Sequence, residues 1–218
     1  MKKHRFLIFA VITLSIMLAI SGVSNDAFGQ SGTLNGHEYV DLGLPSGTKW
    51  AACNVGASNP EDYGNYYAWG ETSTKEIYDW DNYLHPIKYG NDGLITLEAC
   101  DDVVVANWGS GWRMPTKDEM EELYSKCTNE WTIRNGINGR LFTGPNGNSI
   151  FLPAAGEREA NTLGKVGSRG VYWTSSLGVG NLNGAWNLCI SMYDCYMSHY
   201  NYRANGQSVR PVCVPTQK

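Results

Sequence analysis

The strongest local constraint in the sequence is a helix start at Thr116. Thr116 and Glu119 have the Thr-x-x-Glu spacing of a capping box, in which each side chain accepts a hydrogen bond from the other residue's free backbone N–H. The next apolar side chains recur at the spacing of one helix face. They are Met120, Leu123, Tyr124 and Cys127. A second, shorter helix is predicted upstream, capped by Asp101 or Asp102 and ending near Trp108.

The remaining sequence mostly predicts short strands and turns. Residues 37–41 and 48–54 are extended runs, and the Gly-Leu-Pro-Ser-Gly segment between them is typical of a hairpin turn. Later strands are predicted at 149–152, 171–174, 186–192, 195–202 and 208–214. Residues 59–91 predict a long ordered loop held by Tyr66, Tyr67, Trp69 and Trp80. We therefore expect one α+β domain with two helices, antiparallel strands and long ordered loops.

The N-terminus indicates export. Lys2, Lys3 and Arg5 precede an apolar run at 6–23, and the small residues Ala27 and Gly29 follow at signal-peptidase positions. We interpret residues 1–29 as a signal peptide, 30–36 as a linker, 37–214 as the domain and 215–218 as a tail. The alternative is a retained anchor helix, since eighteen apolar residues just span a bilayer. The protein would contact a membrane only in that case.

The charge of the predicted mature chain argues against nucleic-acid binding. Removal of the signal leaves 14 Lys and Arg against 20 Asp and Glu, a formal charge of −6. No stripe of basic residues compensates for this excess of acid. We expect an exported protein in the periplasm, on the outer surface or outside the cell.

The six cysteines leave two interpretations open. They are Cys53, Cys100, Cys127, Cys189, Cys195 and Cys213. An exported chain can oxidise them, and six cysteines allow fifteen pairings. Equally, several can remain free as small buried apolar residues.

Motifs for metals, cofactors and nucleophilic catalysis are absent from the sequence. His37, His85 and His199 are scattered and have no metal-ligand spacing. The sequence contains no H-E-x-x-H, C-x-x-C, phosphate-loop or G-x-S-x-G pattern. We therefore predict no cofactor and no bound metal.

A tyrosine-rich stretch near the C-terminus predicts a strand hairpin with one polar face. Apolar and polar residues alternate from 186 to 192, and a two-residue turn at 193–194 would pair Met192 with Cys195 and Ile190 with Met197. Cys189 would then face outward, opposite Ser198, while Cys195 would face the core. A three-residue turn at 191–193 would instead place Cys189 opposite Cys195.

The outward face of this hairpin is our candidate ligand site. Tyr, Ser and Asn are the residue types that antibody loops use for contact area and adaptable hydrogen bonding. The alternative is that tyrosines are common in strands and pack across them. The predicted ligand-binding residues are Asn187, Ser191, Tyr193, Asp194, Tyr196, Ser198, Tyr200 and Tyr202.

Six sequence blocks resemble one bacterial family. The blocks lie at 41–57 (DLGLPSGTKWAACNVGA), 66–72 (YYAWGET), 107–123 (NWGSGWRMPTKDEMEEL), 151–158 (FLPAAGER), 170–176 (GVYWTSS) and 206–212 (GQSVRPV). Together they resemble the Fibrobacter succinogenes major paralogous domain family of exported proteins. The third block is also similar to the RLPTEAEWE block of formylglycine-generating enzymes.

These resemblances imply the C-type lectin-like fold, in which N- and C-terminal strands pair and long loops carry the functional surface. Variable proteins of diversity-generating retroelements share that fold and end in a similar strand after a hypervariable ligand-binding stretch. Their mutagenesis converts Asn codons to Tyr, Ser, Asp, His or Cys codons, the residue types found at 187–202.

Three functions follow from the sequence. The first is an exported, non-enzymatic binding module for a protein or glycan ligand at the cell surface, diversified by a retroelement. The second is a thiol- or copper-dependent oxidase that resembles formylglycine-generating enzymes and uses Cys189 and Cys195. The third is a structural subunit of a surface assembly.

Overall fold

The computed structural model describes residues 31–213, so the predicted signal peptide at 1–29 and the tail at 215–218 lie outside the described residues. The strands are β1 Gly32–Leu34, β2 His37–Asp41, β3 Lys49–Ala51, β4 Trp112–Arg113, β5 Thr128–Arg134, β6 Ile137–Thr143, β7 Ser149–Pro153, β8 Glu157–Glu159, β9 Thr162–Gly164, β10 Arg169–Leu177, β11 Ala185–Ser191, β12 Cys195–Ser198 and β13 Val212–Cys213. The helices are α1 Val103–Trp108 and α2 Lys117–Lys126, and a 3-10 turn spans Ala99–Asp101.

The strands confirm an α+β architecture. The largest sheet has the order β1-β2-β3-β13-β4, and two three-stranded sheets have the orders β10-β11-β12 and β5-β6-β7. Every ladder between these strands is antiparallel. The C-terminal strand β13 pairs with β3 on one side and β4 on the other, so the two ends of the domain meet in one sheet.

The predicted linker at 30–36 is wrong for its described part. Gly32–Leu34 forms strand β1, which pairs with His37–Tyr39 of β2. The Asn35-Gly36 turn between them has positive φ at both residues, as a tight hairpin requires. The domain therefore begins before His37.

Both predicted helices are confirmed with their caps. Thr116 Oγ1 accepts a hydrogen bond from Glu119 N, and Glu119 Oε2 accepts one from Thr116 N. Asp102 caps α1 by accepting from Val104 N and Val105 N. The apolar stripe of α2 is narrower than predicted, because Met120, Leu123 and Cys127 are buried whereas Tyr124 is 38% exposed.

The segment 52–98 connects β3 to the 3-10 turn without forming a named strand. It contacts the rest of the domain through isolated bridges, Tyr67 with Gln207, Tyr78 with Ala160 and Thr96 with Ser176 of β10. Tyr66, Tyr67 and Trp69 are buried in it, as expected, but Trp80 is exposed. Between residues 31 and 213, no helix is long and apolar enough to cross a membrane.

Candidate functional site

The β11–β12 hairpin has a register that the sequence analysis did not predict. Ile190 pairs with Cys195 and Leu188 with Met197, so the predicted Met192–Cys195 and Ile190–Met197 pairs are wrong, as is the Cys189–Cys195 alternative. The cause is Ser191, whose hydroxyl accepts hydrogen bonds from the backbone N–H groups of residues 193 and 194 at 3.2 and 3.0 Å. This cap closes the turn at Ser191 and leaves Met192 outside the strand.

The predicted inward and outward faces of the hairpin are correct although the predicted register is wrong. The observed register differs from the predicted one by two residues, and a two-residue shift leaves each side chain on its original side of a sheet. Leu188 and Ile190 belong to a core cluster, and Cys195 and Met197 pack against it. Cys189 pairs with Tyr196 on the opposite side. The prediction that Cys189 and Cys195 face opposite ways is therefore confirmed.

Two of the residues expected at the surface are buried. Asn187 is 0% exposed and Cys189 is 2% exposed. Asn187 Oδ1 accepts hydrogen bonds from Asn201 Nδ2 at 2.8 Å and from Cys189 Sγ at 3.3 Å, while Arg169 Nη2 lies 3.1 Å from the same sulfur. The side chains of Arg169 and Asn201 thus cover this part of the face. Asn187 supports the surface from beneath and cannot contact a ligand directly.

The other predicted site residues separate into groups along β12. Ser191, Tyr193 and Asp194 form the hairpin tip, where Arg140 Nη2 donates to Ser191 O at 2.7 Å. Ser198, Tyr200 and Tyr202 lie at or beyond the other end of the strand. Tyr196 lies between them, and the neighbouring Cys189 sulfur together with burial raises the pKa of its phenol. At about 3.3 Å per residue, the four-residue strand separates the two groups by more than 10 Å.

The strand ends at Ser198, although we predicted it to continue to Tyr202. Beyond it the chain packs on the 178–184 loop, where Gly184 bridges to Tyr202 and Arg203 N donates to Asn183 O at 2.8 Å. Tyr200 and Tyr202 therefore face a different neighbourhood from Tyr193.

For Tyr202 that neighbourhood includes the long segment 52–98, which was not predicted to belong to the site, whereas the ring of Tyr200 lies against His199. The ring of Tyr202 lies against the ring of Trp80, with centroids 6.1 Å apart. Leu182 packs directly on Gly90, whose added Cβ would lie 2.4 Å from the Leu182 side chain. Leu177 N donates to Ile95 O at 2.8 Å. Three chain segments thus form one contacting surface.

We name this area the loop surface. Its members are large apolar or aromatic side chains that remain at least a third exposed although their backbones are ordered. They are Trp80, Leu84, Ile87, Ile95, Val179, Leu182, Tyr200 and Tyr202. Ile87, at 78% exposure, is the most exposed of them.

Arg203 anchors the loop surface from below. It is 1% exposed, and its guanidinium donates to Lys88 O at 3.0 Å and to Pro86 O at 3.5 Å. The same group lies over the rings of Trp69 and Tyr83, 5.7 and 5.4 Å from their centroids. Because the backbone at 86–88 is held by a buried side chain, Ile87 is presented on a fixed support.

A second anchor is the carboxylate of Asp101. Lys88 Nζ lies 2.5 Å from it and 2.9 Å from Glu98, and the Tyr89 hydroxyl donates to Asp101 as well. Burial raises the pKa of Asp101, but the bonds from Lys88 and Tyr89 outweigh burial and set the pKa below its ordinary value. Glu98, Cys100 and Asp101 have ligand atoms within 4.8 Å of one another, the only such group in the described part of the chain. Because Lys88 already forms ion pairs with both carboxylates, we assign no metal to them.

Negative charge borders the loop surface. Glu76, Asp81 and Asp92 are exposed in or beside segment 77–95, and none of them forms an ion pair with Lys or Arg in the described part of the chain. Lys88, the cation within the segment, is occupied by Glu98 and Asp101. Exposed apolar side chains therefore alternate along this segment with exposed acidic ones, which we call the acidic margin of the loop surface.

The cysteine pair offers little for catalysis. All six thiols are free, and Cys189 and Cys195 lie on opposite faces of the hairpin. Burial raises the pKa of Cys195 to about 11, so its thiol stays protonated at neutral pH. Since the thiolate is the nucleophile and the metal ligand, this geometry does not assemble a two-thiolate centre.

A cleft of about 390 Å³ lies near the N-terminal hairpin and is lined by His37, Glu38, Cys53 and Trp108. The imidazole of His37 stacks on the indole of Trp108, with centroids 3.7 Å apart. Burial lowers the pKa of His37 and raises the pKa of Cys53, so both groups are neutral at pH 7. An activated thiolate–imidazolium pair is not formed here.

Comparisons with known proteins do not add a relative. No protein-family model, curated protein or solved structure matches this chain. The assignment of function therefore depends on the geometry described above.

Proposed function

We propose that this chain is an exported binding module that uses the loop surface to hold a protein ligand. The observation that carries the proposal is the group of eight exposed apolar and aromatic side chains on ordered, anchored loops. Contiguous exposed apolar patches of this kind mark interaction sites in soluble proteins. The site retains Tyr200 and Tyr202 of the sequence-predicted face and adds the 80–95 segment.

The proposed fold is the C-type lectin-like fold. Three features support it: β13 pairs with β3 in the sheet that also contains β1 and β2, both helices lie between these strands and β13 in sequence, and a long irregular segment connects β3 to the helices. In such a fold the sheets hold the termini while the loops present a surface. The export hypothesis rests on the N-terminal sequence. It predicts that cell fractionation will recover the protein outside the cytoplasm.

The acidic margin specifies the chemistry of the ligand. An apolar centre with exposed Glu76, Asp81 and Asp92 at its border complements a protein surface with apolar side chains bordered by Lys and Arg. Charge of this kind raises the association rate and weakens with salt, whereas the apolar centre supplies the affinity.

A pair of model peptides tests this proposal. The mature protein is titrated with a fluorescent amphipathic helix of Leu and Lys, and with the same pattern built from Leu and Glu. We expect the basic peptide to bind with a salt-dependent Kd and the acidic peptide to bind at least about 10-fold more weakly. Equal binding of both peptides would contradict the assigned chemistry.

Matched variants locate the site. Replacing Leu84 and Ile87 with Ser should weaken binding of the basic peptide about 10-fold or more, because two exposed anchors are lost. Ile133→Ser is the control, since Ile133 is comparably exposed but lies on β5. If the control weakens binding as much as the double variant, the loop surface is not the site.

The diversification hypothesis concerns the same chain at the level of its gene. A reverse-transcriptase gene nearby, together with an adenine-rich near-copy of codons 170–212, would support it. Flanking DNA that contains neither would contradict the diversification hypothesis but would not affect the binding proposal.

A further inference from the structure

We infer that strand β12 pairs with the same strand of a second copy of this chain. In the sheet order β10-β11-β12, β12 is the last strand, and no other segment between residues 31 and 213 pairs with it. An edge of this kind presents unpaired backbone N–H and C=O groups to a further strand. The inference is independent of the loop surface.

The neighbouring edges are protected, whereas β12 is not. The far edge of β10 is covered by bridges to Gly156, Ser208 and Thr96. The edge strand β5 carries the charges of Glu130 and Arg134. Strand β12 reads Cys-Tyr-Met-Ser, with no charge, no proline and no register shift in its ladder. Apart from its short length of four residues, it therefore lacks the usual devices that prevent edge-to-edge pairing.

The register identifies which backbone groups are open. Ser191 N bonds to Asp194 O, and hydrogen-bonded pairs alternate along an antiparallel ladder. Cys189–Tyr196 and Asn187–Ser198 are then the hydrogen-bonded pairs within the hairpin. Cys195 and Met197 consequently direct their N–H and C=O groups away from β11, to the open edge.

Symmetry then fixes the pairing between the copies. The antiparallel two-fold pair that uses the whole strand joins the outward groups of Cys195 to those of Met197 in the second copy, which forms four hydrogen bonds within the strands. Any other register with outward groups facing each other joins fewer residues of the four-residue strand. Tyr196 then lies directly opposite Tyr196 of the second copy, in a close pair without backbone bonds.

The side chains on that face complement themselves. Two tyrosines directly opposite each other form a favourable cross-strand pair. In the same register Asp194 lies opposite Ser198 of the second copy, so a hydroxyl donor faces a carboxylate acceptor. Tyr196 is 44% exposed in the single chain, so it has surface to bury on pairing. The β10-β11-β12 sheets of the two copies then join into one sheet of six strands.

Sedimentation velocity on the reduced mature protein tests the inference. We expect a concentration-dependent dimer. Tyr196→Lys should raise its dissociation constant at least about 10-fold, because two like charges then lie directly opposite each other. Tyr196→Phe should leave dimerisation unchanged. Tyr193→Lys is the matched control, since it adds the same charge at the exposed hairpin tip, away from the axis.

Cross-linking provides the second measurement. Under mild oxidation, Tyr196→Cys should join two copies through position 196, detected by peptide mapping, whereas Ser198→Cys should not self-link because it opposes Asp194. A wild type that is monomeric at its highest soluble concentration would overturn the inference. Equal weakening by Tyr193→Lys, or self-linking through position 198 in place of 196, would overturn the register. The Tyr196→Lys variant should still bind the basic peptide, so failure of this inference is distinguishable from failure of the proposed function.

Discussion

Strand β10 and the segment 52–98 are neighbours that are held in different ways. β10 is held by its ladder to β11, in which the backbone of each strand supplies donors and acceptors. The segment 52–98 has no such ladder: it is held by isolated backbone bonds, such as Trp69 N to Arg203 O at 2.8 Å, and by single side chains that bond to backbone carbonyls. Trp69 Nε1 donates to Thr174 O at 2.8 Å, Tyr83 OH to Trp69 O at 2.7 Å and Trp173 Nε1 to Tyr67 O at 2.9 Å.

The difference shows where each region is vulnerable. A ladder retains its backbone bonds when most side chains are changed, whereas a side-chain anchor disappears with its residue and leaves a buried acceptor without a donor. Stability of the loop region is therefore concentrated in a few residues. Because a few anchoring side chains hold the segment, neighbouring side chains such as Ile87 can remain exposed and available for contact.

The largest expected effect is at Arg210, the side chain that joins the start of this segment to the sheets. It is fully buried, and its guanidinium donates to Asn54 Oδ1, Ala51 O, Ala52 O and Phe151 O. Burial lowers its pKa to about 10. Arg210→Met should lower the free energy of unfolding by about 4 kcal/mol, because four buried acceptors lose their donor.

Urea unfolding measures this loss. Arg210→Lys is the graded control, since an ammonium keeps the charge but cannot reach all four acceptors, and its loss should be intermediate. A loss below about 1 kcal/mol in Arg210→Met would show that the anchor is not concentrated in this residue.

A matched tryptophan pair compares segment 52–98 with a strand of the largest sheet, β3. Trp69 and Trp50 are both 0% exposed, but Trp69 Nε1 bonds to Thr174 O, whereas Trp50 Nε1 has no partner in the described part of the chain. Trp69→Phe should therefore cost about 1–2 kcal/mol more than Trp50→Phe, since only the first change orphans a buried carbonyl. Equal losses of unfolding free energy would show that the hydrogen bond from Trp69 Nε1 adds nothing to the stability of segment 52–98. Hydrogen exchange should rise in 66–95 for Trp69→Phe alone.

The cap of helix α2 provides a smaller effect, which is confined to the helices and sheets and does not reach the loop surface. Thr116→Ala should lower the free energy of unfolding by about 1 kcal/mol, because Glu119 N loses its acceptor. Binding of the basic peptide should not change. Thermal unfolding that matches wild type would contradict the role of the cap. Weakened peptide binding would show that helix α2 and the loop surface are coupled.

The smallest effect is pH-dependent and involves Glu119. Burial raises the pKa of Glu119, but the hydrogen bonds from Arg113, Thr116 N and Thr48 and the charge of Arg113 together outweigh burial and set the pKa below its ordinary value of 4.5. Its contribution to stability is therefore complete above pH 4.5 and disappears as the pH falls through the lower folded pKa. The difference in unfolding free energy between wild type and Glu119→Gln should be constant above that pH and shrink below it. A difference that grows in acid would reverse the assigned sign.

Local patterns in the sequence were sufficient for part of this structure. The Thr116–Glu119 box and the Asp102 cap depend on contacts within a few residues, so spacing alone predicts both helices. The faces of the β11–β12 hairpin follow from alternation with period two, which a two-residue register error does not disturb. The α+β class follows from the same periodicities.

The tertiary structure alone decided the register, the burial and the composition of the candidate site. Ser191 closes the turn one residue before the predicted strand end, and Asn201 and Arg169 cover Asn187 and Cys189. Trp80 meets Tyr202 and Gly90 meets Leu182 although about a hundred residues separate the segments. Periodicity reports which way a side chain points relative to its own backbone. Whether that direction leads to water or to another segment depends on long-range packing, which no local pattern records.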